Sequence, residues 1–251
     1  MSTANHSFLA DRFEFKYVLD RTTAIALERY FQTIGLVPDD NSREGSYTVN
    51  SLYYDSKHLD DYRDKDGSLL IRKKMRARMY NDFWDENFST VWMEIKHKRN
   101  MVIFKRRAGI PKADWQLFME HGLPHELTKS GANEHDRGVL SEFAYLYIKE
   151  QYRPHVIVKY SRRAYLAKFL SSVRITFDKD IQTCWYGDRF NESFMIPVYQ
   201  DKVVMEVKYK GKLPWWFTLA ITKFELRRSD FSKYNNSVAK LREHYRMPVN
   251  K

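Results

Sequence analysis

The sequence holds a single cysteine, Cys184, in 251 residues. That excludes a disulfide framework and a cysteine-built metal site, and it fits a reducing compartment. Glycine is scarce as well, at 9 residues. With no GxxxxGK[ST] loop and no GxGxxG, phosphates are not cradled by a glycine-rich backbone. GxSxG and HExxH are also absent, and the Gly122 and Pro124 between His121 and His125 spoil a helical metal pairing. The longest nearly apolar stretch, Leu213 to Ile221, is far short of the roughly 20 residues that span a bilayer. The opening residues, MSTANHSFLADRFEFK, lack a basic start followed by an apolar run, so no secretory signal and a cytoplasmic location are expected.

What is present is charge and aromatic bulk. Lys and Arg number 43 against 32 Asp and Glu, a net charge of +11. Charged residues make up 30% of the chain, but aromatics at 16% rule out disorder. Such an excess of positive charge implies an anionic partner: nucleic acid, anionic lipid or a phosphorylated small ligand. The polar run 127–136 (LTKSGANEHD) reads as a loop, and nothing is long enough to be an interdomain linker.

Alternation of apolar and charged residues dominates, the period-two signature of strands. It runs over 12–18, 70–80, 91–98 and 202–210, with less regular strands expected over 47–54, 101–110, 156–166 and 173–178. Helical spacing interrupts it over 21–34, opened by Asp20 as N-cap and closed at Gly35, and over 111–121, 137–151 and 235–245. The segment opened by Trp215 and Trp216 reads as a helix covering the sheet. Without regular βαβ alternation, the fold expected is α+β with mostly antiparallel sheet.

One pattern recurs in three of these strands: Glu14-x-Lys16, Glu94-x-Lys96 and Glu206-x-Lys208. A spacing of two puts both side chains on one strand face. On a solvated face such pairs are worth only about 0–1 kcal/mol each. The row Arg72, Lys74, Arg76 and Arg78 is different: four like charges on one face repel, which makes sense if a polyanion lies against them. Alternation alone does not distinguish a solvent-facing charged side from one lining an enclosed tunnel. Any phosphate binding must come from side chains, and the planar fork of Arg suits it.

The runs RFEFKY (12–17), SLYYDS (51–56), IRKKMRARMY (71–80), MEIKHK (93–98), KRRA (105–108), KYSRRAY (159–165), VRITFD (173–178), MEVKY with GKLP (205–214) and FSKY (231–234) occur in this order. Together they resemble the VTC domain, the polyphosphate polymerase domain of the triphosphate tunnel metalloenzyme superfamily. The resemblance implies a single domain over 1–251 (core about 10–245), an antiparallel β-barrel forming a tunnel, and helices packed outside. It implies transfer of the terminal phosphoryl group of ATP to a growing inorganic polyphosphate chain with Mn²⁺ or Mg²⁺. The residues it marks as catalytic are Arg76, Arg78, Lys96, Arg162, Arg174 and Lys233. Lys16, Arg72, Lys74, Lys105, Tyr160 and Lys208 would bind substrate, and Glu206, Glu14 and Glu94 would supply metal-binding carboxylates.

Triphosphatase and cyclase members typically open with E-x-E-x-K, whereas this chain has R-x-E-x-K from Arg12. The loss of one carboxylate favours the polymerase branch. The alternatives are hydrolysis of tripolyphosphate or a nucleoside triphosphate in the same tunnel, and a non-catalytic module that binds polyphosphate. Specific nucleic-acid recognition is not expected, because the aromatics alternate as core residues. Export of polymer across a membrane would need a separate membrane partner.

Overall fold

The computed structural model describes residues 12–42, 44–64, 71–80, 89–99, 102–121, 133–167, 173–188 and 192–246. Along the chain come β1 (Arg12–Asp20), α1 (Arg21–Thr33), β2 (Leu36–Pro38), β3 (Tyr47–Asp55), α2 (Asp60–Arg63) and β4 (Ile71–Met79). Then follow β5 (Thr90–Arg99), β6 (Val102–Pro111), α3 (Lys112–His121), α4 (Glu134–Ile148) and β7 (Arg153–Ala167). The last are β8 (Arg174–Trp185), β9 (Ile196–Pro197), β10 (Lys202–Lys210), α5 (Trp215–Lys223) and α6 (Lys233–His244). These elements make two compact units.

The first unit comprises Met1–Tyr47, Ser161–Asp180 and Tyr199–Phe231. In it β10 pairs antiparallel with both β1 and β8, and β2 pairs with the end of β7. Odd-numbered residues of β1 and β10, such as Tyr17, Met205 and Val207, are buried against Leu27 and Phe31 of α1 and Trp216 and Phe217 of α5. Burying each such large side chain stabilises by about 1.5–3 kcal/mol. Helix α1 starts as expected: the Asp20 carboxylate accepts from the Thr23 N–H at 2.7 Å. Gly35 follows its end at φ +90°, a conformation that glycine adopts without steric cost. In α5, Trp216 joins the core while Trp215 stays 74% exposed.

The second unit comprises Thr48–Tyr160, Ile181–Val198 and Ser232–Lys251. Strands β3, β4, β5 and β6 pair in that order, antiparallel throughout. Met75, Ala77, Met93 and Ile95 are fully buried against Phe118 of α3 and Val139, Leu140 and Phe143 of α4. The α+β class with antiparallel strands, and helices against their apolar faces, is therefore the observed one.

Several boundaries differ from the sequence reading. Helix α4 runs from Glu134 to Ile148 rather than over 137–151. Its N-cap is Asn133, whose side chain accepts from the Asp136 N–H at 2.9 Å, so residues 134–136 of the expected loop are helical. Helix α6 starts two residues before 235, because Ser232 caps it. Strand β8 continues to Trp185 instead of stopping at 178, passing Asp180 at φ 51°, a conformation Asp tolerates better than most residues. Residues 127–132 of the loop lie outside the described residues. No described helix is long and apolar enough to cross a membrane.

Candidate active site

The polar face of the second unit is built by β3, β4 and β5. Period two puts Arg76 and Arg78 opposite in direction to Met75 and Ala77, and the register sets Arg76 against Glu94. Glu94 is 1% exposed and Arg78 6% exposed, so the centre of this charged face is shielded from solvent. The Glu94 carboxylate lies 2.6 Å from Arg76, 3.8 Å from Arg78 and 2.5 Å from Lys105. Arg76 also donates to the Tyr53 hydroxyl at 2.9 Å, and Arg78 reaches Ser51 at 3.4 Å and Tyr160 at 3.5 Å. Lys233, at the start of α6, is buried with its ammonium 4.9 Å from the Tyr160 ring centroid. Lys74 donates to Ser232 at 3.0 Å and to Asn235, and register places Lys96 between Lys74 and Lys105.

The electrostatics of this face are positive. Burial alone would raise the Glu94 carboxyl, but Arg76, Arg78 and Lys105 outweigh it and hold it well below the usual carboxylate range. Burial likewise opposes the Tyr53 phenolate, yet Arg76, Arg78 and Lys233 bring the hydroxyl below its ordinary value. Lys105 is pulled down to about 7: desolvation, with Arg76 and Arg78, outweighs its contact with Glu94. A buried phenol that becomes more acidic marks a local field that favours negative charge.

The first unit carries the other two Glu-x-Lys copies. Antiparallel pairing of β1 with β10 sets Lys16 against Glu206 and Glu14 against Lys208, so the pattern complements itself across the strands. Glu14 lies 3.0 Å from Lys16 and 3.7 Å from Lys208, and Lys208 lies 3.8 Å from Glu206. Arg162 is 5% exposed and grips the fully buried Asp178 with two bonds of 2.6 and 2.7 Å. Its guanidinium also lies 3.8 Å from Glu206. Arg174 is held by Asp39 at 2.6 Å and Tyr47 at 3.3 Å.

The sequence reading therefore finds Arg76, Arg78, Glu94, Lys105, Tyr160 and Lys233 grouped in one unit, with Lys74 and Lys96 in adjacent strands. Glu14, Lys16, Arg162, Glu206 and Lys208 are grouped in the other, with Arg174 across from Lys208 in register. Arg72 is placed on β4, but its side chain lies outside the described residues. The reading missed Tyr53, Asp178 and Thr176. Thr176 is the register partner of Glu206, is 1% exposed, and its hydroxyl has no hydrogen-bond partner. The alternation Arg174, Thr176, Asp178 was the signal that could have placed both residues on the polar face.

A divalent metal would need oxygen ligands from these residues. Among the described residues, no three His, Cys, Asp or Glu side chains are grouped to hold one. Mg²⁺ and Mn²⁺ need less, because one or two carboxylates suffice when water and phosphate oxygens complete the shell. Glu206 and Glu14, both within 3.8 Å of the Lys208 ammonium, with the unpartnered Thr176 hydroxyl beside Glu206, fit that pattern. Glu94 already faces three cations.

Antiparallel strands with an apolar face under helices and a basic face opposite define an α+β protein with positively charged strand faces. The VTC domain family matches residues 11–242, and the chain belongs to that family. Among solved structures, it is similar to HpAC1 from Hippeastrum, described as a candidate adenylyl cyclase with a dominant triphosphatase activity. The TM-score is 0.57 at 11% identity, covering 92% of this chain and 97% of that one. A candidate adenylate cyclase from Bacillus halodurans is also similar, at TM-score 0.49 and 10% identity over 89% and 94% of the two chains. No curated protein matches the chain.

Proposed function

We propose that the protein is a metal-dependent polyphosphate polymerase that moves the γ-phosphoryl group of ATP onto a growing inorganic polyphosphate chain. The supporting observation is the cluster of Arg76, Arg78 and Lys105 around the single carboxylate of Glu94 on the polar face of β4, β5 and β6. Membership of the VTC family supports a phosphate-chain substrate for that cluster.

The attacking chain-end phosphate is ionised near neutral pH, so no protein general base is required. The chain must supply alignment of two mutually repelling polyanions and neutralise charge on the transferring group. Arg76 and Arg78, oriented by Glu94, Tyr53 and Ser51, direct N–H donors at phosphate oxygens. Lys74, Lys96, Lys105 and Lys233 add charge on the same unit, with Tyr160 packed beside Lys233. Arg162 and Arg174 are fixed by Asp178 and Asp39, and Lys16 and Lys208 add phosphate-binding charge on the same unit. Glu206 and Glu14 hold Mg²⁺ or Mn²⁺, which when bound shields phosphate charge. Glu94 serves as counter-charge and orienter for the arginines, rather than as a metal ligand.

Hydrolysis of tripolyphosphate or a nucleoside triphosphate is the second reading, favoured by the fold shared with HpAC1 and its described triphosphatase activity. Incubating the purified protein with ATP and Mn²⁺ or Mg²⁺, and resolving products on a gel, decides between them. Polymer supports the polymerase reading, and free phosphate without polymer supports hydrolysis. Glu206→Gln is expected to abolish metal-dependent turnover while leaving the thermal melt intact. Unchanged synthesis by that variant would remove Glu206 from the metal site.

A further inference from the structure

The second unit has a cavity of about 230 Å³ whose walls include Asp60, Asp61, Asp64, Lys73, Glu150 and Tyr152. Lys73 belongs to the opposite face of β4 from Arg76 and Arg78, since it is an odd number of residues from both. The cavity is therefore separate from the basic face described above. One ammonium, Lys73, stands in it against four carboxylates. His97, also on the wall, is bonded to Glu142 at 2.6 Å.

The central carboxylate is Asp61, only 3% exposed. Its Oδ1 accepts from the Tyr152 hydroxyl at 2.8 Å, while its buried Oδ2 has no hydrogen-bond partner. An unpartnered buried carboxylate oxygen is costly unless a ligand completes it. Its carboxyl is pushed up to about 8, first by burial and then by the neighbouring Asp55. Lys73 shows which chemistry the wall accepts: its ammonium lies 4.8 Å from the Tyr152 ring centroid and pairs with Glu150. A bare metal ion is a poorer match, since the Tyr152 ring face and the Lys73 ammonium on the wall offer it no oxygen ligand. A primary ammonium on a short alkyl chain matches better, with three N–H donors for separated carboxylates and methylenes for the Tyr152 ring.

We propose that this cavity binds a primary alkylammonium, with Asp61, Asp64 and Glu150 as its acceptors and Tyr152 as its aromatic wall. Bound amine ionises Asp61, so binding near neutral pH releases a proton.

The test is calorimetric titration of putrescine into the full chain, beside Nα-acetyl-lysine amide, MgCl₂ and NaCl, in buffers of different ionisation enthalpy. Saturable putrescine binding with proton release is expected, weakened by roughly tenfold or more in Asp61→Asn and in Glu150→Gln. Tighter binding of the lysine amide than of putrescine would make a peptide lysine, rather than a free amine, the source of the ammonium. Asp61→Asn should keep ATP turnover, because Asp61 lies outside the phosphate machinery; Glu150→Gln covers the case in which Asp61→Asn fails to fold. No saturable putrescine heat, equal heat from MgCl₂, or binding unchanged in both variants overturns the proposal.

Discussion

The Glu94 carboxylate accepts from the Arg76 Nε at 2.6 Å at a position where only 1% of Glu94 reaches solvent. Burial of a charged pair is not in itself stabilising, but removal of one partner leaves the other charge without its counter-charge. Arg78 and Lys105 share the same carboxylate, so the loss reaches three cations.

Glu94→Gln should therefore lower stability by about 3–5 kcal/mol. A ligand that supplies negative charge to the same face should restore much of it, because binding the native state adds stability by mass action. The check is a thermal melt with and without tripolyphosphate. The shift on adding ligand should be larger for Glu94→Gln than for the parent; equal shifts would place the polyanion elsewhere.

Desolvation, with Arg76 and Arg78 nearby, pulls the Lys105 ammonium down to about 7. Its folded value lies below its unfolded one, so the unfolded chain holds the extra proton between the two. Stability from this group is therefore absent at low pH and rises as pH increases through that window. Phosphate charge placed beside it reverses the depression, so binding should take up a proton. At about pH 8 a terminal phosphate is already ionised, which leaves Lys105 as the visible acceptor. Calorimetry of tripolyphosphate binding in two buffers should show proton uptake, and Lys105→Met should remove most of it.

Arg162 and Asp178 form a buried bidentate pair. Asp178→Ala should destabilise by about 3–5 kcal/mol by stranding the guanidinium. The double variant Arg162→Met with Asp178→Leu should recover most of that loss in denaturant melts, since apolar pairs of similar volume replace buried ion pairs well. Turnover should not recover, because the phosphate-binding charge is gone. Recovery of both would make Arg162 structural only.

How much of this was legible depends on what period two encodes. Alternation in β4 and β5 assigns Arg76, Arg78, Glu94 and Lys96 to one side, and the structure keeps that assignment. The same alternation says nothing about which side is covered, so the burial of Arg78 and Glu94 follows only from tertiary packing. The antiparallel setting of Glu14-x-Lys16 against Glu206-x-Lys208 makes those copies complementary, while Arg76 and Lys105 crowd Glu94. Identical sequence patterns thus carry different electrostatics according to register. Asp178 ends one expected strand and Tyr53 falls inside another, without a role for either, because hydroxyl and carboxylate partners far along the chain leave no local trace. Asn133 was lost in a polar run for the same reason: a cap is recognised by the N–H it accepts from.

Thr176 gives the sharpest separation of function from fold. Its hydroxyl is buried beside Glu206 in register and has no partner, so it contributes nothing evident to folding and costs desolvation. Thr176→Val keeps the β-branched shape that a strand favours and removes the orphaned oxygen. Stability should hold or rise by up to about 1–3 kcal/mol, the penalty of an unsatisfied buried hydroxyl. If the hydroxyl instead completes the surroundings of a metal or phosphate at Glu206, metal-dependent turnover should fall by roughly tenfold, the worth of one charge-assisted hydrogen bond. Denaturant melts and ATP turnover at varied Mn²⁺, made on the same preparation, report both quantities. A drop in turnover with an unchanged or higher melt assigns Thr176 to the site; a drop in both assigns it to packing of β8 against β10.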